Sequence, residues 1–133
     1  MIVVDTNILA YLLIDGEQTK AARKLFQQDA EWKSEGFLLI EFSNILATYE
    51  RRGNLSQTQA DKLLSEATAV VSHLVTVPNE DVLDGARRYR VSAYDARFLI
   101  LAEHERTNLV TEDARLRAAA PEITWSLEES LGL

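Results

Sequence analysis

Met1-Ile2-Val3-Val4, followed at once by Asp5-Thr6-Asn7, is the stretch that decides how this chain folds. The first four residues are apolar, largely β-branched and unbroken, which suits a strand buried on both faces, as a parallel sheet requires. Asp5, Thr6 and Asn7 are all good helix-capping residues. Ile8, Leu9, Leu12 and Leu13 then supply a helical stripe as far as Asp15-Gly16. A strand therefore hands over to a helix at Asp5. A similar junction comes late in the chain, where Asn108-Leu109-Val110-Thr111 reads as a short apolar strand and Glu112 to Ala119 as a short helix.

Working outward, a helix is expected from about Thr19 to Asp29, with Ala22, Leu25 and Phe26 on one face, and a short strand within Trp32 to Phe37. Leu38, Phe42, Ile45, Leu46 and Tyr49 are spaced as a helix running to about Arg51, which Gly53 stops. Ser56 and Gln59 form a capping box that opens another helix to about Ala69. Val70 to Val77 reads as a strand ended by Pro78. Asn79 caps a helix through Arg88, and Ser92 opens one that continues to about Glu105. After Pro121, Ile123-Thr124-Trp125 reads as a last edge strand. Strands alternating with helices imply one α/β domain over residues 1–133, three layers deep, with a mainly parallel sheet and helices on both faces. Such sheets place their sites beyond the carboxyl ends of the strands, where Asp5 and Asp113 sit.

The bulk composition narrows the chemistry. A chain of 133 residues buries roughly 70% of its unfolded surface and needs no covalent staples. It has no cysteine and only two histidines, His73 and His104, so a bound metal would be held mainly by oxygen, which favours magnesium or manganese. No apolar run reaches the roughly 18 residues of a membrane span. The N-terminus lacks the basic region and cleavage site of a signal peptide, so the expectation is a cytoplasmic protein. The formal net charge of −7 runs against nonspecific nucleic-acid binding, which usually uses a basic surface. Metal-bound carboxylates would reverse part of that local field.

Four acids stand out, each with an ordinary alternative. Asp5 is explained equally well as a helix cap. Asp113 lies two residues after Thr111, which could itself cap the following helix while the dipole favours Glu112 and Asp113. In Ser92-Ala93-Tyr94-Asp95, Asp95 resembles the acid of a capping box, yet helical spacing puts it among Phe98, Leu99 and Ala102. A carboxylate buried there needs a partner or a metal. Glu41 is the sharpest, on the rim of an apolar stripe between Leu38 and Ile45, where no cap or dipole calls for charge. Its ordinary alternative is a salt bridge to a distant base.

Taken in order, Asp5-Thr6-Asn7 after the first strand, Glu41 in Ile-Glu-Phe-Ser-Asn-Ile-Leu, Tyr94-Asp95-Ala96 opening a helix, and Thr111-Glu112-Asp113 after a strand resemble the PIN domain. The likeness is closest to the small VapC-like toxins of bacterial and archaeal toxin–antitoxin pairs, and it spans essentially the whole chain. The resemblance implies a magnesium- or manganese-dependent endoribonuclease with Asp5, Glu41, Asp95 and Asp113 in its acidic pocket. On that reading Asp5 and Asp95 are the principal metal ligands, and Asp113 contributes through water or to a second ion. Glu41 positions or polarises water, and Thr6, Asn7 and Thr111 donate hydrogen bonds from behind. The resemblance also implies a homodimer and a small antitoxin whose basic segment enters the acidic pocket.

Arg51-Arg52, Arg87-Arg88 with Arg90, and Arg115 with Arg117 are either solvated helix surface or phosphate contacts. Arg115 and Arg117 are nearest to a proposed ligand, and Tyr89 or Tyr94 offers a stacking surface. Neither histidine is assigned a role. Two rivals remain: a non-catalytic PIN-like binding module, and a phosphoryl-transfer domain of the receiver or haloacid-dehalogenase kind. The second fits less well, because Asn7 stands where a second Asp is expected and no lysine follows Lys62.

Overall fold

A computed structural model describes residues 1–132. Its centre is β1 (Ile2–Val4), flanked by β2 (Trp32–Glu35) and β4 (Leu109–Val110), with β3 (His73–Val75) and β5 (Thr124–Trp125) at the edges. The order is β3-β2-β1-β4-β5 and all four pairings are parallel. The apolar run at the N-terminus thus becomes the middle strand, and Ile2, Val3 and Val4 are all buried.

α1 (Thr6–Leu13) and α2 (Thr19–Gln28) connect β1 to β2, and α3 (Phe37–Arg51) and α4 (Gln57–Val70) connect β2 to β3. The chain then crosses back to β4 through α5 (Asn79–Tyr89) and α6 (Ala93–Glu105), and reaches β5 through α7 (Ala114–Ala119). Right-handed crossovers running in opposite directions from β1 put the first four helices on one face and α5 and α6 on the other. α6 accordingly packs against β1, β2 and β4, and α5 packs on α6. The three-layer α/β arrangement expected from the sequence is the one observed. It differs from the receiver-like order 2-1-3-4-5.

Most elements fall where the periodicity places them, with four differences. The strand expected over Val70–Val77 contracts to His73–Val75, because Ala67 and Val71 are buried by the last turn of α4, whose ladder continues through Val71 N–H to the Ala67 carbonyl at 3.1 Å. Pro78, not Asn79, is the N-cap of α5, and the Asn79 side chain instead accepts a hydrogen bond from Arg97 at 3.1 Å. The cap of α7 is Asp113 rather than Thr111. A final short helix, α8 (Leu127–Ser130), carries its own capping box from Ser126 and Glu129 and packs on α2.

The packing between α5 and α6 depends on Gly85, where an added Cβ would run into the Ile100 side chain. Among the described residues no helix is long and apolar enough to cross a membrane.

Candidate active site

Leaving β1, the chain turns toward β2, while β4 lies on its other side. This reversal of direction opens a crevice beyond the carboxyl ends of β1 and β4, the usual place for a site in an open parallel sheet. The register pairs Val4 with Val110, so the next residues outward, Asp5 and Thr111, face each other across the crevice. Thr111 is fully buried and its hydroxyl donates to Asp5 Oδ2. The same Oγ1 accepts the Asp113 N–H at 3.1 Å, tying the ends of both strands to one hydroxyl.

Asp5 and Asp113 are also helix caps. Asp5 Oδ1 accepts from Ile8 N at 3.3 Å, and Asp113 Oδ1 accepts from the Arg115 and Leu116 amides at 2.9 and 3.1 Å. Each carboxylate uses Oδ1 to close its helix; the second oxygen of Asp5 takes the Thr111 hydroxyl, and both residues line the crevice. The ordinary alternatives for these two residues are therefore real, and they coexist with a place in the site.

Glu41 comes from α3 and Asp95 from the first turn of α6. Among the described residues Glu41 has no basic partner; its Oε1 accepts the Thr6 hydroxyl at 2.6 Å. Ser92 caps α6 by accepting the Asp95 N–H at 3.0 Å, which fixes the backbone from which the Asp95 side chain leaves. Asp5, Glu41, Asp95 and Asp113 together line one cavity of about 420 Å³, with Thr6, Asn7 and Asn44 as further polar lining. Phe37, Ile40, Ile45, Phe98 and Leu116 supply the apolar wall. Among the described residues no lysine or arginine lines the cavity.

The electrostatics follow from that composition. Asp5 is 7% exposed, and burial pushes its pKa up to about 7, with Glu41 and Asp113 adding repulsion against the Thr111 and Ile8 hydrogen bonds. Burial also raises Glu41, opposed by the Thr6 bond and reinforced by Asp95. Asp95 is raised by burial and then by Asp113, with Ser92 and the nearby Arg115 pulling the other way. Mutual repulsion among desolvated acids is thus built into the site.

The donor set suits a hard divalent cation, since it consists of carboxylates, hydroxyls and amides. Among the described residues no three Asp, Glu or His side chains are gathered tightly enough to cage an ion unaided. Magnesium keeps several of its waters and usually takes only one or two carboxylates, so an open acidic cavity of this size fits it.

Of the other residues singled out, Thr6 and Thr111 contact the acids directly, whereas Asn7 is exposed and lines the cavity without bonding to them. Arg115 lies near Asp95, but Arg117 faces a second cavity with Lys20, Lys24 and Glu112, and its Nε is buried without a partner among the described residues. His104 sits 3.5 Å from Asp81, and His73 is on the edge strand, both away from the acids. Phe37, Ile40 and Asn44 were not singled out, although their helical spacing from Glu41 (i−4, i−1 and i+3) puts at least Phe37 and Asn44 on its face. One ion pair joins residues that no sequence spacing connects. Glu35, whose side chain is 3% exposed, is met by Arg97 Nη1 at 3.0 Å.

Comparison with known proteins gives a consistent answer. A family model described as PIN domain matches residues 2–121. Ribonuclease VapC3 of Pyrobaculum aerophilum is 28% identical over 124 residues, which cover 90% of this chain and 95% of that protein. The crystal structure of PAE2754 from the same organism superposes with a TM-score of 0.79 at 23% identity, over 98% of this chain and 92% of that one. A toxin–antitoxin complex from Klebsiella pneumoniae includes a chain of the same fold, with a TM-score of 0.66 at 17% identity, covering 96% of this chain and 98% of its counterpart.

Proposed function

Because the chain belongs to the PIN domain family, we propose that it is a divalent-metal-dependent endoribonuclease and the toxin of a type II toxin–antitoxin pair. The observation that carries this reading is the convergence of four carboxylates on one cavity without a lysine or arginine in its lining. A scaffold has no need of desolvated acids that repel one another. Such an arrangement lowers stability and is kept where a cation or a reacting group resolves the repulsion. The relative named as a ribonuclease and the structural neighbour from a toxin–antitoxin complex support the same assignment.

Asp5, Asp95 and Asp113 would hold magnesium or manganese. When bound, that cation neutralises charge on the phosphodiester and acidifies water for in-line attack. The chain's own residues supply the rest. Thr111 orients Asp5 through Oδ2 and, by accepting the Asp113 amide, sets the spacing between two of the acids. Thr6 occupies Glu41 Oε1, leaving Oε2 to accept a proton from a water in the cavity. A half-buried glutamate whose proton affinity is raised by burial suits that task. Arg115, near enough to Asp95 to act on its charge, would meet a phosphate of the strand.

The partners that go with this reading are RNA, a small antitoxin with a basic segment drawn to the acidic cavity, and a second copy of the chain in a homodimer. The working place is the cytoplasm and the working unit a single domain. Incubating a pool of cellular RNAs with the parent and Asp5→Asn proteins in magnesium, and mapping the cut sites, tests the core of it. Discrete cuts that need magnesium and Asp5 are expected. Equal cleavage by the two proteins removes the assignment.

A further inference from the structure

We propose that Tyr94, backed by Phe37, is a stacking platform for one unpaired nucleobase at the rim of the acidic cavity. This inference rests on the ribonuclease reading and names the substrate feature that the site selects. The rings of Phe37 and Tyr94 are stacked, with centroids 5.3 Å apart and planes within 14°. Phe37 lines the cavity, and Tyr94 directly precedes Asp95 in α6. Yet Tyr94 is 63% exposed. Burial against Phe37 accounts for only part of its surface, and its hydroxyl makes no hydrogen bond among the described residues.

The base of the stack is held in place by charge. Glu35 Oε1 accepts the Phe37 N–H at 2.8 Å, and Arg97 Nη1 reaches the other Glu35 oxygen at 3.0 Å. Arg97 is held by Asn79 at 3.1 Å and lies 5.9 Å from the Phe37 ring centroid. A guanidinium held by Glu35 and Asn79 therefore lies over the Phe37 ring, against which Tyr94 stacks. A pre-set aromatic surface binds a flat partner at little ordering cost.

Electrostatics give such a surface a purpose. With a net charge of −7 and an acidic cavity, this chain gains little from the phosphate attraction that usually supplies affinity for RNA. Base stacking needs no basic surface and tolerates any sequence, because every base has a π-face. It does require that the base be free of its helix, so the platform favours single-stranded segments and loops. Tyr89 offers no equivalent, since its hydroxyl is engaged by Glu103 at 2.7 Å and Arg88 covers its ring at 5.1 Å. Ile40, also 63% exposed and one turn beyond Phe37 on α3, extends the apolar rim.

The test uses the full chain and short unstructured RNAs carrying a fluorescent purine analogue at successive positions around a mapped cut. In the Asp5→Asn background with magnesium, quenching is expected at one position beside the cut. Adding Tyr94→Ala should abolish that quenching and weaken binding roughly five- to hundredfold. Tyr94→Phe, which keeps the ring, should bind like the parent. In the active protein Tyr94→Ala should raise KM by a similar factor with kcat little changed, at an unaltered melting temperature. Asp5-dependent cleavage with quenching and KM indifferent to Tyr94→Ala overturns the platform alone. So does a Tyr94→Ala defect confined to binding a protein partner. Absence of any Asp5-dependent cleavage overturns the ribonuclease reading and the platform with it.

Discussion

Replacing Asp5 with Asn should disable the protein and stabilise it. The carboxyl group sits in the fold with a pKa near 7, against 3.8 in the unfolded chain, chiefly because it is buried. The folded state therefore holds the proton more tightly. That contribution is fully present below pH 4 and is lost as pH rises through 7. At 1.36 kcal/mol for each tenfold in proton affinity, ionising Asp5 at pH 8 costs the metal-free fold up to about 4 kcal/mol. Asn cannot ionise, and its side-chain oxygen can still cap α1 through the Ile8 amide. It disturbs the Thr111 hydrogen bond, at about 1 kcal/mol. The net expectation is a variant about 2–4 kcal/mol more stable than the parent at pH 8, or roughly 7–14 °C in Tm for a chain of this size. The gap should close toward pH 4. Thermal denaturation across this pH range in chelator measures it, and manganese should then raise Tm for the parent far more than for Asp5→Asn. Parallel stability curves for the two proteins from pH 5 to pH 8 refute the desolvated-acid description of the site.

Three further outcomes follow from particular contacts. Arg97→Met strands the buried Glu35 carboxylate and should lower unfolding free energy by about 2–4 kcal/mol, with much of the loss recovered in the Glu35→Gln/Arg97→Met double variant; urea titration and a double-mutant cycle read it out. Thr111→Val removes the hydroxyl that joins Asp5 to the Asp113 amide, so cleavage should fall about 10–100-fold and the acid limb of the pH–rate profile should move upward. Gly85→Ala drives a methyl into Ile100 and should cost about 1–3 kcal/mol by overpacking; Ile100→Val in the same chain, which removes Cδ1 but keeps Cγ1, should relieve part of it, as differential scanning calorimetry would show.

The sheet and the four acids were legible because their signals are local. A buried parallel strand is apolar throughout, and Asp5 and Asp113 announce themselves by standing at a strand-to-helix junction. Glu41 and Asp95 were legible because a charge on an apolar helical stripe conflicts with packing. Features built across the chain were not. Glu35 pairs with Arg97 from a helix 62 positions away, and no spacing rule connects them. The Phe37–Tyr94 stack likewise joins two helices that meet only in the fold. Val70 and Val71 misled because β-branched residues favour strands in general, while here the last turn of α4 buries Val71 against the core. Arg115 and Arg117 looked equivalent in sequence, but two residues on a helix point to different sides, and only Arg115 comes near the acids.

The double employment of Asp5 and Asp113 has a consequence for how members of this family decay. If a descendant loses its substrate, selection for capping remains at these two positions, and Asn or Ser satisfies it as well as Asp does. Such a chain would keep the outline of the motif long after its activity had gone. Glu41 has no such second employment: among the described residues it closes no helix and contacts no backbone amide, and its one hydrogen bond is from the Thr6 hydroxyl. With no capping to preserve, Leu or Ala fits position 41 once the pocket falls idle. In telling working copies from retired ones, residue 41 is therefore a better witness than the more conspicuous Asp5.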